Sequence, residues 1–326
     1  MEHSPLPGVP AIESPFFEDI FSTDRFTEAE KSIARDLHDR GYAVFEFPDA
    51  DFTAKAEAIK SDLHSRYPWS DWYAGGADMR IQDAWTFNEH VRSLATNKLV
   101  LNLLSKLYGR RAWPFQTLNF PVGTQQHFHT DALHFSSIPE RFMCGVWVAF
   151  EDIGDDQGPL EYYPGSHKWP IYTNEHIGLV PRRVNSQQNY HALWEALIRS
   201  TKAQREVFHA KAGQALIWTA NLLHGGMPHL AKSKTRWSQV THYYFDDCAY
   251  YTPMFSDPFR GLIQFRQLTD ISTMKPVLNS YSGERISEFF TETAAQGFEQ
   301  FDIRRARRRR KLSYRLRKAL GLIREA

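Results

Sequence analysis

The stretch QQHFHTDALHF, residues 125–135, puts three histidines and an aspartate into eleven residues. Read as a β-strand, alternate side chains share a face, so His127, His129 and Asp131 line one side while Phe128 points to the other. Such a face packs poorly against a sheet and suits a cavity that holds a cation. Taken alone, His-x-Asp is a weak signal. Fourteen histidines make such pairs common, and a solvated strand end reads equally well.

Two further stretches narrow the choice. ALIWTANLLHGG (215–226) is an apolar run ending in His224 and two glycines, which are expected to turn the backbone sharply and leave room beside the imidazole. Two imidazoles and one carboxylate with open positions form the ligand set of non-haem Fe(II). Zinc accepts the same donors, so ligand type alone does not choose the metal. Twelve residues on, Arg236 opens RWSQVTHYYF, and alternation puts Arg236, Ser238 and Val240 on one face. An arginine lining a cavity is unfavourable unless it meets an anion, and its fork grips a carboxylate with two parallel hydrogen bonds. A pocket holding a metal and a dicarboxylate follows; a surface ion pair is the competing reading of Arg236.

The flanks supply the scaffold. Residues 27–40 predict a helix, with Thr27 as cap, Glu30 closing a capping box and Gly41 ending it before a strand over 42–47. Further helices are expected at 52–66 and 88–108. Short apolar runs separated by Gly, Pro, Asp and Asn then follow at 112–122, 142–153, 158–167, 213–226 and 236–247, interrupted by a helical insert at 188–210. That rhythm belongs to an antiparallel sandwich or barrel. The expected fold is mainly β with flanking helices, a barrel under a helical N-terminal layer.

At this point the chain resembles the phytanoyl-CoA dioxygenase family of Fe(II)/2-oxoglutarate oxygenases. The resemblance rests on HTD (129–131), GPLEYYPGSHK (158–168), IWTANLLHGG (217–226) and TRWSQVTHYYF (235–245), in that order along roughly residues 25–250. It implies a double-stranded β-helix, the cupin-like jelly roll. It further implies His129, Asp131 and His224 as iron ligands and Arg236 as the partner of the distal carboxylate of 2-oxoglutarate. Trp147 would stand near the site, Gln116 and Gln126 would line the co-substrate pocket, and Ser166 and His167 would lie near its rim or form a structural turn. His127 and His134 receive no role. The cofactors implied are Fe(II), 2-oxoglutarate and O2, the reaction a hydroxylation of a small-molecule or lipid-like substrate with release of succinate and CO2. Asp131 is the carboxylate that related halogenases replace with a small residue, so its presence implies oxidation without halogen transfer. A Zn-binding or metal-free jelly-roll binding module is the alternative.

Charge divides the chain. Residues 304–326 hold eleven Lys or Arg and one acid, net +10, which leaves 28 basic against 37 acidic residues in the body. Leu312, Leu316, Ala319, Leu320 and Ile323 form an apolar stripe along this tail, which suits a helix lying on an anionic membrane surface. Nucleic acid is a weaker candidate partner, and a solvated tail is the plain reading. Cys144 and Cys248 offer no disulfide framework, and no basic leader or span of ~20 apolar residues is visible, so a cytoplasmic location, peripheral to a membrane through the tail, is expected. The expected organisation is an extended arm (1–24), an oxygenase domain (25–303) and a basic tail (304–326).

Overall fold

The computed structural model describes residues 4–76, 79–180, 186–286, 290–293, 298–302 and 316. The tail predicted over 304–326 therefore lies outside the described residues, Leu316 excepted. The helices are α1 (Phe17–Phe21), α2 (Glu28–Arg40), α3 (Phe52–His64), α4 (Trp69–Tyr73), α5 (Glu89–Ala95), α6 (Lys98–Tyr108) and α7 (His191–Thr201). The strands that matter here are β1 (Tyr42–Glu46), β2 (Ile81–Gln82), β3 (Ala112–Phe120), β4 (Ser136–Ile138), β5 (Met143–Ala149), β6 (Leu160–Tyr162), β7 (Glu206–Phe208), β8 (Gln214–Thr219), β9 (His224–Gly226), β10 (Ser238–Phe245), β11 (Ala249–Tyr251) and β12 (Leu262–Arg266).

The main sheet runs β1-β8-β5-β10-β3-β2, antiparallel throughout, and faces a small sheet β7-β6-β9. Both faces of the main sheet are covered, which is why its central strands read as continuous apolar runs. Alternation still sorts them. Cys144, Val146 and Val148 of β5, with Ala215 and Ile217 of β8, pack under the helices; Trp147, Ala149, Leu216 and Trp218 face the small sheet. The helical layer fits its sequence: α3 buries Phe52, Ala56, Ile59 and Leu63 along one stripe. Each large apolar side chain so buried contributes about 1.5–3 kcal/mol. The architecture is the jelly roll with a helical N-terminal layer.

The capping box of α2 is present in full, with the Glu30 amide donating to Thr27 Oγ1 and the Thr27 amide to Glu30 Oε2. Gly41 takes φ +86°, and a Cβ there would lie 2.5 Å from the His167 ring. Several boundaries differ from expectation. The helical stretch 88–108 is two helices, because Asn97 caps a new one by accepting from the amides of Leu99 and Val100. Residues 213–226 are two strands in different sheets. The arm over 1–24 is not extended where it is described: Phe17–Phe21 is helical, and Ile12, Phe17, Ile20 and Phe21 are buried in the core. Strands β11 and β12, past the last expected run, join β4 in a five-stranded sheet.

Candidate active site

His129 and His224 meet across a single antiparallel bridge, each amide donating to the other's carbonyl at 2.9 and 3.0 Å. The 125–135 stretch is thus not a regular strand. It runs extended beside β9, then a 3-10 turn over Asp131–Leu133 swings Asp131 back toward the imidazoles. The alternation argument placed His127 on the same face; instead its ring stacks on His191, centroids 3.6 Å apart, outside the cavity. Nor do Gly225 and Gly226 turn sharply, since both lie within β9. They permit close approach: a Cβ would sit 2.8 Å from the Gln126 carbonyl oxygen at one and 2.8 Å from Thr124 Oγ1 at the other.

One ligand atom each from His129, Asp131 and His224 falls within 4.8 Å of the others. All three residues are buried, at 7%, 3% and 8% exposure. The Nδ1–H of His129 donates to the His127 carbonyl at 3.0 Å and that of His224 to the Leu222 carbonyl at 2.9 Å. Those bonds fix the tautomer and leave both Nε2 atoms free to accept a metal. Burial, with His224 alongside, pushes the His129 imidazole down to about 3, so it is neutral near pH 7. Burial would raise Asp131, but His224, His242 and His129 and the Trp218 hydrogen bond outweigh it and hold the carboxyl down at about 2. Two imidazoles, each with an Nε2 left open, and one carboxylate are the donors a divalent cation requires.

The triad opens into a cavity of about 270 Å³ between the two sheets. It is divided. Leu118, Phe120, Trp147, Leu160, Trp218 and Val240 form one apolar cluster on one side. There Arg236, 1% exposed, stands with its guanidinium 5.1 Å from the Trp147 ring centroid. Among the described residues the guanidinium makes one hydrogen bond, from Nη1 to Ser238 Oγ at 3.3 Å, and its Nε and Nη2 have no partner. Burial pushes it down to about 10. A buried cation with unused donors is a receptor for an anion.

The other side is polar. Gln116 pairs with His242 at 3.0 Å and Gln126 donates to Gln187 at 3.1 Å, with His134 alongside.

Of the residues proposed from sequence, Gln116, Gln126, His129, Asp131, Trp147, His224 and Arg236 line this cavity. Ser166 and His167 do not. The Ser166 hydroxyl donates to the Tyr163 carbonyl and accepts from the Leu223 amide, and the His167 Nε2 bonds the His38 carbonyl, so the PGSH loop pins α2 to β9. Sequence reasoning missed Trp218, His242 and Gln187. His242 shares the parity of Arg236 along β10, so alternation could have found it. Gln187 sits on the insert and gave no signal.

The chain matches the family described as Phytanoyl-CoA dioxygenase (PhyH) over residues 22–236, well over half its length. No curated protein sequence matches it. Solved structures share its fold. The carbocyclase SnoK from nogalamycin biosynthesis superposes with a TM-score of 0.54 at 15% identity, covering 85% of this chain and 97% of that one. The epimerase SnoN of the same biosynthesis gives 0.51 at 20%, covering 72% and 89%. EctD from S. alaskensis with 2-oxoglutarate and 5-hydroxyectoine gives 0.52 at 18%, covering 75% and 84%. The chain belongs to the phytanoyl-CoA dioxygenase family of Fe(II)- and 2-oxoglutarate-dependent oxygenases, and its cofactors are Fe(II), 2-oxoglutarate and O2.

Proposed function

We propose that His129, Asp131 and His224 hold the Fe(II), that Arg236 takes the distal carboxylate of 2-oxoglutarate, and that the enzyme hydroxylates a compact polar small molecule. The observation that carries this is the pairing, in one cavity, of a two-imidazole, one-carboxylate cluster with a buried guanidinium that has two unused donors. When held there, Fe(II) and 2-oxoglutarate would supply the O2 chemistry, in which loss of CO2 to leave succinate is coupled to oxidation of the substrate.

The chain's own part is binding, orientation and exclusion of water. Arg236 fixes one end of the co-substrate, and the apolar cluster around Trp147, Val240 and Leu160 keeps solvent from it. Gln116 and Gln126 line the same cavity with His134, Gln187 and His242, a set of hydrogen-bonding groups that can serve 2-oxoglutarate or the substrate. That polar wall also favours a hydrogen-bonding substrate over an acyl chain. SnoN is described as an epimerase and SnoK as a carbocyclase, so hydroxylation is the part of the proposal that most needs its own test. The test is product mass after turnover under ¹⁸O2: one labelled oxygen in the product supports hydroxylation, and succinate release with an unlabelled, unsaturated or rearranged product refutes it.

A further inference from the structure

Trp218 carries a hydrogen bond that sets it apart in this core. Its Nε1–H donates to Asp131 Oδ2 at 2.7 Å, with both residues 3% exposed. Buried indoles here do not find partners as a matter of course: Trp72, Trp147 and Trp194 are all buried, and none has a partner for Nε1 among the described residues. Trp218 spends its donor on the one carboxylate of the metal cluster.

The sequence makes room for that contact. Trp218 on β8 stands directly opposite Gly145 on β5. A Cβ at Gly145 would lie 2.2 Å from the indole Cζ2. With any other residue there, the ring could not lie across the sheet. In the slot it also covers the His224 ring, centroids 5.0 Å apart. One indole therefore touches two of the three candidate ligands.

The consequence lies in the two oxygens of Asp131. Oδ2 faces the indole N–H at 2.7 Å and His242 Nε2 at 3.7 Å. Oδ1 faces His129 Nε2 at 3.9 Å, on the side of the imidazoles. A carboxylate whose one oxygen is held by a donor presents the other as a single ligand atom, and partners behind a ligand commonly tune metal affinity. We propose that Trp218, seated by Gly145, is a positioning residue that occupies Asp131 Oδ2 and so leaves Oδ1 as the single oxygen this carboxylate would offer the metal. This rests on the assignment of Asp131 as an iron ligand made above.

The experiment is an anaerobic Fe(II) titration of the full chain in the presence of 2-oxoglutarate, followed by the visible charge-transfer band. Two variants are compared with the parent: Trp218→Phe, and the chain carrying the sulfur isostere benzothienylalanine at 218, which keeps the ring's shape and loses only the N–H. The expected result is Fe(II) affinity about 10–100-fold weaker in both variants because the carboxylate is no longer held in place, with the band displaced because its donation to the metal changes once the hydrogen bond is lost. Affinity within twofold of the parent's in the isostere overturns the proposal. So does weaker affinity with an unmoved band, which would make the indole simple packing. If the parent itself forms no band, the assignment of the site fails, and that outcome is distinct from failure of the role given to Trp218.

Discussion

Replacing Arg236 by methionine should have opposite effects on stability and on co-substrate binding. In the chain alone the guanidinium is 1% exposed and makes a single hydrogen bond, at 3.3 Å to Ser238 Oγ. Burial pushes it down to about 10, a displacement from the ordinary guanidinium range worth roughly 3 kcal/mol against the charged form. Methionine has similar length and no charge to desolvate, so the metal-free Arg236→Met protein should melt at the same temperature as the parent or a few degrees above it. Binding should move the other way. Removing one partner of a buried, hydrogen-bonded charge pair costs about 2–5 kcal/mol, which weakens 2-oxoglutarate binding by roughly thirty-fold or more. The assay is a thermal melt of the metal-free protein beside calorimetric titration of 2-oxoglutarate with Mn(II), an ion that binds without turnover. A variant that loses stability by more than about 2 kcal/mol and binds 2-oxoglutarate unchanged would refute the reasoning, because Arg236 would then be an internal structural cation.

Further outcomes follow from the same physical terms. Burial holds the His129, His167 and His242 imidazoles down at about 3, about 4 and about 4, whereas an unfolded chain protonates them near 6.5. Stability of the metal-free protein is therefore complete above pH ~6.5 and is lost as pH falls toward 4, by up to about 1.4 kcal/mol per pH unit for each imidazole. His134, His191 and His229 are lowered by burial as well, so denaturant melts across that window should show a shallower but not abolished slope in His242→Gln, and an unaltered slope contradicts the assignment. Thr27→Ala removes half of the α2 capping box and should lower stability by about 1 kcal/mol without altering Fe(II) binding. Deleting 304–326, with its net charge of +10, should reduce co-sedimentation with anionic phosphatidylserine vesicles while leaving 2-oxoglutarate turnover intact; equal sedimentation would leave the tail as a solvated segment.

What the sequence made legible depended on whether a local rule was sufficient. The capping box at Thr27 and the left-handed glycine at 41 are local backbone chemistry, and they appear where the residues put them. Arg236 and Val240 reach the cavity because β10 and its approach alternate as a strand must. His127 misled because a single bridge and a 3-10 turn broke the period of two, and nothing in QQHFHTDALHF announces that break. The polar wall was hidden for another reason. Gln187 is brought over the cavity by an insert some sixty residues away, where it bonds Gln126 and the His127 carbonyl. Trp218 read as one more apolar strand residue, since its role needs Gly145 opposite and Asp131 from a third segment.

The most direct measurement is the visible spectrum of the anaerobic protein as Fe(II) is added with 2-oxoglutarate, in the parent chain and in His129→Ala. The account predicts a weak charge-transfer band that saturates at one Fe(II) per chain in the parent and is absent in the variant. A freshly reconstituted parent with no band, or a band that survives loss of His129, would contradict the claim that these three residues form the iron site.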